Sequence, residues 1–306
     1  MSIQFINEDC IKFMQSLEKE SIDTILTDPP FVNSDNEWDN DFDFDIWIKE
    51  AFRILKKDGV LAIFGQNITY WQRNLKILQA GFCFKKEIIW DKVKVGIGNC
   101  QSHENISIFS KSNNRKLYPL KVDYIDYIKY QDFSQLSKDI NIIYNSLVNN
   151  QKLKELKDYI ENDIINYTKK KNTYYKSDQF KNTPNYIKSL QKIIKGVYIP
   201  SVIKIHIGGM GSIYKIHRAQ KPIKLIEYLL EIIQPQGVVL DTFAGSGVVG
   251  IACNKNNYDC ILVEQDENIF VKMKDYVENY NTYMNKDKHI CEKIANNDEK
   301  QIKINF

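Results

Sequence analysis

The chain lacks a strong charge imbalance, paired cysteines and long apolar runs, and each absence closes off a class of protein. Lys and Arg number 42 against 39 Asp and Glu, a formal net of +3, so no global basic character announces a nucleic-acid partner. The six cysteines, Cys10, Cys83, Cys100, Cys253, Cys260 and Cys291, form no CxxC pair. Neither a zinc site nor a disulfide framework is expected, and no metal ligands are assigned. No apolar run approaches the roughly 20 residues needed to span a bilayer. The opening residues MSIQFINEDC lack the basic-then-apolar order of a signal peptide. The expectation is a soluble, cytoplasmic protein with no membrane partner.

What is present is 306 residues, 43% hydrophobic and 26% charged, enough for one large core or one core with an inserted domain. The stretch Thr27-Asp28-Pro29-Pro30-Phe31 follows a short apolar run, Ile22 to Leu26, that reads as a buried strand. Two prolines fix φ twice, remove two donors and keep the residues before them out of helix. An acid, backbone carbonyls and an aromatic ring are thus presented at a strand end. One reading is a stiff turn with Phe31 in the core; the other is a site of hydrogen-bond acceptors.

Around this stretch, strand and helix patterns alternate. Ile3 to Ile6 reads as a strand and Ile11, Met14 and Leu17 as a helix. Residues 32 to 44 are acidic and aromatic, either a solvated loop or one lying over a site. Ile46 to Leu55 carries the helical stripe Trp47, Ala51, Ile54 and Leu55, and Lys56-Lys57-Asp58-Gly59 reads as its basic last turn and glycine stop. Val60 to Phe64 reads as a strand, 69 to 80 as a helix stopped by Gly81, and Phe82 to Trp90 and Ile106 to Phe109 as two more strands. Such alternation argues for an open α/β sheet.

From 113 to 200 the pattern changes. This segment has 16 Lys and Arg against 9 Asp and Glu, and 11 of the 18 tyrosines. Leu136, Ile140, Ile143 and Leu147 mark one amphipathic helix, and Leu153, Leu156, Ile160 and Ile164 another; the pair reads equally as core or as a dimer interface. Residues 169 to 195 hold eight lysines and one acid, with Tyr174, Tyr175, Phe180 and Tyr186 interleaved. Lysines such as Lys169, Lys170, Lys171 and Lys176 suit phosphates, and the rings suit bases. A solvated lysine-rich face gives the same pattern.

Alternation then resumes. Pro222 to Ile233 reads as a helix with proline in its first turn, Gly237 to Asp241 as a strand, Val248 to Asn254 as a helix, Cys260 to Glu264 as a strand and Asn268 to Tyr280 as a helix. Between Asp241 and Val248 lies the small-residue turn Thr242-Phe243-Ala244-Gly245-Ser246-Gly247. Strand, glycine turn, helix, then a strand ending in the acid Glu264 is the build of an adenosine-binding βαβ unit, with Glu264 placed for the ribose hydroxyls. Read as Gly-Ser-Gly, the turn falls short of a dinucleotide fingerprint, and Asp241 repels a pyrophosphate. A ligand carrying an amine and a sulfonium, S-adenosylmethionine, fits better. A glycine turn packed on a helix is the structural alternative.

Asp28-Pro-Pro-Phe31 together with Asp241-Thr-Phe-Ala-Gly-Ser-Gly247 resembles the S-adenosylmethionine-dependent DNA amino-methyltransferases, in the permuted order of their beta group. His217-Arg-Ala-Gln-Lys221-Pro222 resembles that family's H-x-x-x-K-P segment. Ser102-His-Glu-Asn105 through Ser110-Lys111, Trp90 with Lys92, and Asn7-Glu-Asp-Cys10 resemble further pieces of it. The resemblance covers about residues 3 to 111 and 215 to 280. Phe31 stands where Tyr is commoner, and Ala-Gln-Lys-Pro where Thr-Glu-Lys-Pro is more usual.

The resemblance implies a Rossmann-like α/β methyltransferase with a mixed, mostly parallel seven-stranded sheet, helices on both faces and a largely helical target-recognition insert. It divides the chain into 1–112, 113–200, 201–284 and a polar tail, 285–306. It implies catalysis by Asp28, Pro29, Pro30 and Phe31. The implied cofactor site is Asp9, Cys10, Asp28, Lys221, Asp241, Phe243, Ala244, Gly245, Ser246, Gly247, Glu264 and Gln265. Lys169, Lys170, Lys171, Tyr174, Tyr175 and Lys176 are the expected DNA contacts. Double-stranded DNA is the expected substrate, methylated at adenine N6 of a flipped-out base; cytosine N4, RNA or a protein glutamine as target, or a catalytically silent nucleic-acid-binding module, are the alternatives. A homodimer and a cognate restriction endonuclease are the further partners the resemblance implies.

Overall fold

Every residue from Ile22 to Thr27 is buried, as a strand covered on both faces requires. The structure, a computed structural model, describes residues 2–31, 42–92, 102–122, 140–145, 197–198, 201–205, 216 and 220–283. In chain order its elements are β1 (Ile3–Ile6), α1 (Cys10–Ser16), β2 (Ile22–Thr27), α2 (Phe44–Ile54), β3 (Leu55–Gly65), α3 (Asn67–Gln79), β4 (Cys83–Asp91), β5 (His103–Ser110), β6 (Lys121–Val122), β7 (Val197–Tyr198), β8 (Val202–Lys204), α4 (Ile223–Ile233), β9 (Val239–Asp241), α5 (Val248–Lys255), β10 (Cys260–Val263) and α6 (Glu267–Glu278).

The chain packs as two units, Met1–Tyr118 with Ser201–Phe306, and Pro119–Pro200. In the first, eight strands form one sheet in the order β1-β10-β9-β2-β3-β5-β4-β8. Every pairing is parallel except the two made by β5, which runs against β3 and β4. The sheet is therefore mixed and mostly parallel, with one strand more than expected. The eighth, β8, is three residues long and pairs Val202 with Ile89 and Lys204 with Asp91; a run that short carries no periodicity to read.

The N-terminal strand β1 lies beside β10, Ile3 opposite Cys260 and Ile6 opposite Val263, so the two ends of the chain build one ligand-facing edge. From β9 the chain moves toward β10, and from β2 it moves toward β3. The gap between β9 and β2 is thus the topological switch point, where open α/β sheets place ligands. Trp47, Ala51 and Ile54 of α2 are fully buried, as are Ile25, Leu26 and Leu61 of the sheet. Each such aliphatic side chain contributes about 1.5 to 3 kcal/mol by leaving water. Helix α3 turns Tyr70, Arg73 and Ile77 inward and Ile68, Trp71, Leu75 and Leu78 outward.

One expectation fails locally. Lys56 to Gly59 does not end α2 as a basic turn with a glycine stop. The helix is capped by Leu55 in an extended conformation, and Leu55 to Gly59 already belongs to β3. Gly59 serves close approach instead, since a Cβ there would lie 2.9 Å from Leu55 Cδ2 and 3.1 Å from the Asp23 carbonyl. Pro222 sits one position earlier than expected, as the N-cap of α4. The second unit shows β6 paired antiparallel with β7 and a helical turn at 140–145 with Ile140 and Tyr144 exposed. The remainder of the two amphipathic patterns, the lysine run and its aromatics lie outside the described residues. Among the described residues no helix is long and apolar enough to cross a membrane.

Candidate active site

Because β1, β10, β9, β2, β3 and β4 run parallel, the residues after them gather on one edge: Asp9, Glu264, Asp241, Asp28, Gln66 and Lys92. The antiparallel β5 begins there, which brings Glu104 to the same edge, opposite Trp90. Lys221, just before α4, joins them.

At the end of β2 the Lys221 ammonium lies 2.5 Å from Asp28 Oδ2 and 3.2 Å from Glu104 Oε2, while Lys92 Nζ lies 2.6 Å from Glu104 Oε1. Lys221 and Glu104 are almost fully buried, and Lys92 nearly so. Burial pushes the Asp28 carboxyl up to about 6; Lys221 pulls it down and Glu104 adds to the rise. For Lys221 burial favours loss of the proton, but Asp28 and Glu104 outweigh it and raise the ammonium above its ordinary range. Glu104 is held below its ordinary range by Lys221 and Lys92 against its own burial. A quarter of the Asp28 side chain reaches solvent, yet its Oδ1 is covered and has no hydrogen-bond partner among the described residues. A covered, unpaired carboxylate oxygen is costly unless a ligand supplies the donor.

The Lys221 ammonium also lies 5.7 Å from the Phe31 ring centre and 5.3 Å from that of Phe64. The Phe31 carbonyl accepts a hydrogen bond from Thr69 Oγ1 at 3.2 Å, tying the turn to the start of α3. Pro29 is buried and Pro30 half-buried. Phe31, also half-buried, is therefore not a plug in the core; part of its ring remains available.

Across the switch point, Asp241 Oδ1 accepts hydrogen bonds from Thr27 Oγ1 at 2.7 Å and from the Phe243 N–H at 3.1 Å. Thr27 Oγ1 lies 3.1 Å from Thr242 Oγ1, to which Trp47 Nε1 donates at 3.3 Å. Burial pushes the Asp241 carboxyl up to about 7, the Thr27 and Phe243 hydrogen bonds pull against it, and the charges of Asp28 and Glu264 add to the rise. A buried acid with two acidic neighbours favours a cationic ligand over a phosphate.

The glycine turn has the conformation its sequence requires. Gly245 has φ +50° and Gly247 φ +76°. A Cβ on Gly245 would meet nothing nearer than the Phe243 carbonyl at 4.0 Å, so open space lies there. A Cβ on Gly247 would lie 2.6 Å from Val277 Cγ2, and one on Gly250 2.5 Å from Leu262 Cδ1. Gly250 corrects the sequence reading: Gly245, Gly247 and Gly250 complete a Gly-x-Gly-x-x-Gly spacing, with the last two glycines seating α5 on α6 and β10. The spacing alone does not separate a methyl donor from a dinucleotide; the buried Asp241 does.

Glu264 is fixed before any ligand arrives. Its Oε2 accepts from the Gly245 N–H and its Oε1 from the Asp266 N–H, both at 3.0 Å. Burial raises its carboxyl above the ordinary range. Asn7 Nδ2 donates to the Glu264 carbonyl at 2.8 Å and to the Gln265 carbonyl at 3.2 Å, so the β1 end is tied to the β10 end. Asp9 is exposed and caps α1 by accepting from the Lys12 N–H. Cys10 is buried, and burial with the Asp9 charge pushes its thiol up to about 12. Ala244 and Ser246 are buried within the turn, and the Phe243 ring packs tilted against Phe42, 4.8 Å between ring centres.

The fold thus brings together Asp28, Asp241, Gly245, Glu264 and Lys221 from distant parts of the chain. Lys221 lies between Asp28 and Glu104. Glu104 and Lys92 were named only as parts of resembling segments, yet they complete the charge cluster. Gln220 accepts from the Ile216 N–H at 3.3 Å, a local tie in the segment before α4. Phe42 belongs to an aromatic cluster with Phe44, Trp47 and Phe243, so the end of the acidic loop packs on the site. His217, Lys169, Lys170, Lys171, Tyr174, Tyr175 and Lys176 lie outside the described residues.

The chain is similar to known proteins. A DNA methylase family of the N6/N4 type matches residues 22–275. Type II methyltransferase M.HinfI of Haemophilus influenzae is 28% identical over 136 residues, 35% of this chain and 38% of that protein. Type II methyltransferase M.HpaI of Haemophilus parainfluenzae is 32% identical over 127 residues, 36% of this chain and 40% of that protein. The matches thus span less than half of either relative's length. The fold is that of the M1.HpyAVI–SAM complex, with TM-score 0.53 and 19% identity over 89% of this chain and 98% of that one. It is also that of the cytosine-N4-specific PvuII DNA methyltransferase, with TM-score 0.50 and 15% identity over 90% of this chain and 93% of that one. With the family match spanning most of its length and the Asp28 and glycine-turn motifs on one sheet edge, the chain belongs to the N6/N4 DNA methylase family.

Proposed function

We propose that the protein transfers a methyl group from S-adenosylmethionine to the exocyclic N6 of adenine in double-stranded DNA. The observation that carries this reading is the covered Asp28 Oδ1 at the switch point, without a hydrogen-bond partner among the described residues, beside an adenosine-type turn. The residues around that turn fit the cofactor: Gly245 leaves room for it, Glu264 offers its remaining lone pairs to a ribose, and Asp241 offers a buried carboxylate to its amine. Asp9, Cys10, Phe243 and Gln265 border the same strand ends. Bound there, S-adenosylmethionine supplies an electrophilic methyl group on a sulfonium.

An exocyclic amine is a weak nucleophile because its lone pair is delocalised into the ring. Asp28 Oδ1 and the Pro29 carbonyl each accept one N–H, which turns the lone pair toward the methyl donor. Positioning and fixed charge then supply the acceleration. Phe31 offers a stacking face to a base that has left the duplex. It has no hydroxyl, so its role is confined to stacking. The lysine-rich stretch 169 to 195 contacts the phosphates, and a restriction endonuclease of the same specificity is the partner that the type II relatives suggest.

The test is to incubate the protein with S-adenosylmethionine and DNA of mixed sequence, digest to nucleosides and identify the methylated product. N6-methyladenine is the expected product. N4-methylcytosine would move the target to cytosine while keeping the same acceptor geometry. No methylated nucleoside on any DNA would overturn the reading.

A further inference from the structure

Asp28 and Lys221 form a pair that is electrically complete, yet a second pair, Glu104 with Lys92, is built against it. If Lys221 needed only a counterion, Asp28 would suffice and the second pair could be absent at no cost in net charge. Buried ion pairs are a poor source of stability, so stability does not account for the extra pair. Its geometry does. An ammonium with one carboxylate for partner can bridge both of its oxygens. Here the Lys221 ammonium also lies 3.2 Å from Glu104 Oε2, a charge contact without a formed hydrogen bond, and its short contact to Asp28 is to Oδ2. Lys92 holds the other Glu104 oxygen at 2.6 Å, so Glu104 cannot swing away. Among the described residues Asp28 Oδ1 is left covered and without a hydrogen-bond partner.

We propose that Glu104 is a positioning residue: by sharing the Lys221 ammonium with Asp28, and being held in turn by Lys92, it keeps Asp28 Oδ1 open for the target amine. The inference rests on the methyl-transfer reading of Asp28. Among the described residues, the groups that face Asp28 are Lys221 from the segment before α4, Glu104 from β5, Lys92 after β4 and, across the switch point, Asp241 from β9. Glu104 acts on Asp28 in two ways. It draws off part of the ammonium, and its negative charge makes Asp28 more basic. Both strengthen Asp28 as an acceptor. Lys92 acts oppositely, by neutralising Glu104.

This predicts shifts of opposite sign. The Asp28 carboxyl is followed by carbon-13 NMR on the ligand-free protein, its signal assigned with Asp28→Asn. In Glu104→Gln the midpoint moves down by about one pH unit, the ordinary scale for one charge at this range. In Lys92→Met, where Glu104 keeps its charge and is held by Lys221 alone, it moves up. The kcat for methyl transfer at pH 8 falls about tenfold or more in Glu104→Gln, with the dissociation constant for S-adenosylmethionine unchanged. A midpoint that stays put in a folded variant, or moves the same way in both, overturns the inference; so does a loss of kcat without a shift, which is what a merely structural role produces. Lys92→Met carries the same test where Glu104→Gln does not fold. The titration needs no turnover, so a chain that methylates nothing refutes the function, whereas an unmoved Asp28 refutes the role of Glu104.

Discussion

Asp28 is half-buried and Asp241 fully buried, and the two acids are tuned for different work. Asp28 has a lysine at 2.5 Å and a midpoint near 6; Asp241 has a hydroxyl and an amide and a midpoint near 7. Methyl transfer needs Asp28 ionised, so kcat falls as pH drops through about 6. Asp241 makes a separate prediction about stability. Its folded pKa lies above its unfolded value of 3.8, so the folded state binds the proton more tightly. The stability this gives is present below about pH 4 and is lost as pH rises through about 7. Asp241→Asn keeps an oxygen for Thr27 and Phe243 and removes the charge. Thermal melts without ligand should therefore show Asp241→Asn more stable than the parent at pH 8, by about 2 to 4 kcal/mol, and nearly equal at pH 4. Its affinity for S-adenosylmethionine should fall. These two acids were legible in the sequence because each ends an apolar run. Glu104 and Lys92 were not legible as site residues. They meet Asp28 only because β5 pairs backwards with β4, and nothing in the residues around Glu104 records that register.

The glycine turn shows how far local pattern reaches. Strand, turn, helix and acid stand where the sequence puts them, since β9, α5 and β10 are short, almost continuously apolar runs set off by the glycine turn and by polar residues. The third glycine was passed over because Gly250 sits inside α5, where it reads as ordinary helix interior. Its role appears only when Leu262 is packed against it. Gly59 was misread for the opposite reason: a glycine after two lysines looks like a helix stop, but the following strand starts earlier and takes it in. The two glycines of the turn divide by task. Gly247→Ala should cost about 1 to 3 kcal/mol of stability in a thermal or denaturant melt, since it combines a left-handed φ with a Cβ 2.6 Å from Val277. Gly245→Ala should cost less, about 1 kcal/mol for its φ alone, but should weaken S-adenosylmethionine binding because the added methyl enters open space at the ligand's place. Calorimetric titration beside the melts separates the two effects; equal losses of stability with equal affinities would contradict the division.

For the molecule as a whole, the permuted order follows from the sheet. β1 completes the edge that β10 leaves open, and Asn7 ties the two strand ends together, so the cofactor half and the catalytic half share one ligand edge despite lying at opposite ends of the chain. That edge was readable from strand order and strand-end acids. The 113–200 segment was readable only as charge and rings, because lysine-rich composition is compatible with many backbones. Its proposed role as the DNA contact is tested by Lys169→Ala, Lys170→Ala and Lys171→Ala combined. DNA affinity should fall, and the slope of log affinity against log salt should flatten by about 2 to 3, with cofactor binding unaffected. An unchanged slope would exclude these lysines from the contact.

The central claim is that Asp28 accepts the N–H of a target amine in DNA. Single-turnover transfer of a labelled methyl group to DNA, with the parent and Asp28→Ala compared at saturating S-adenosylmethionine, tests it most directly. A loss on the order of 10² to 10³-fold is expected in Asp28→Ala, with cofactor affinity retained. Transfer at the parental rate by Asp28→Ala would contradict it.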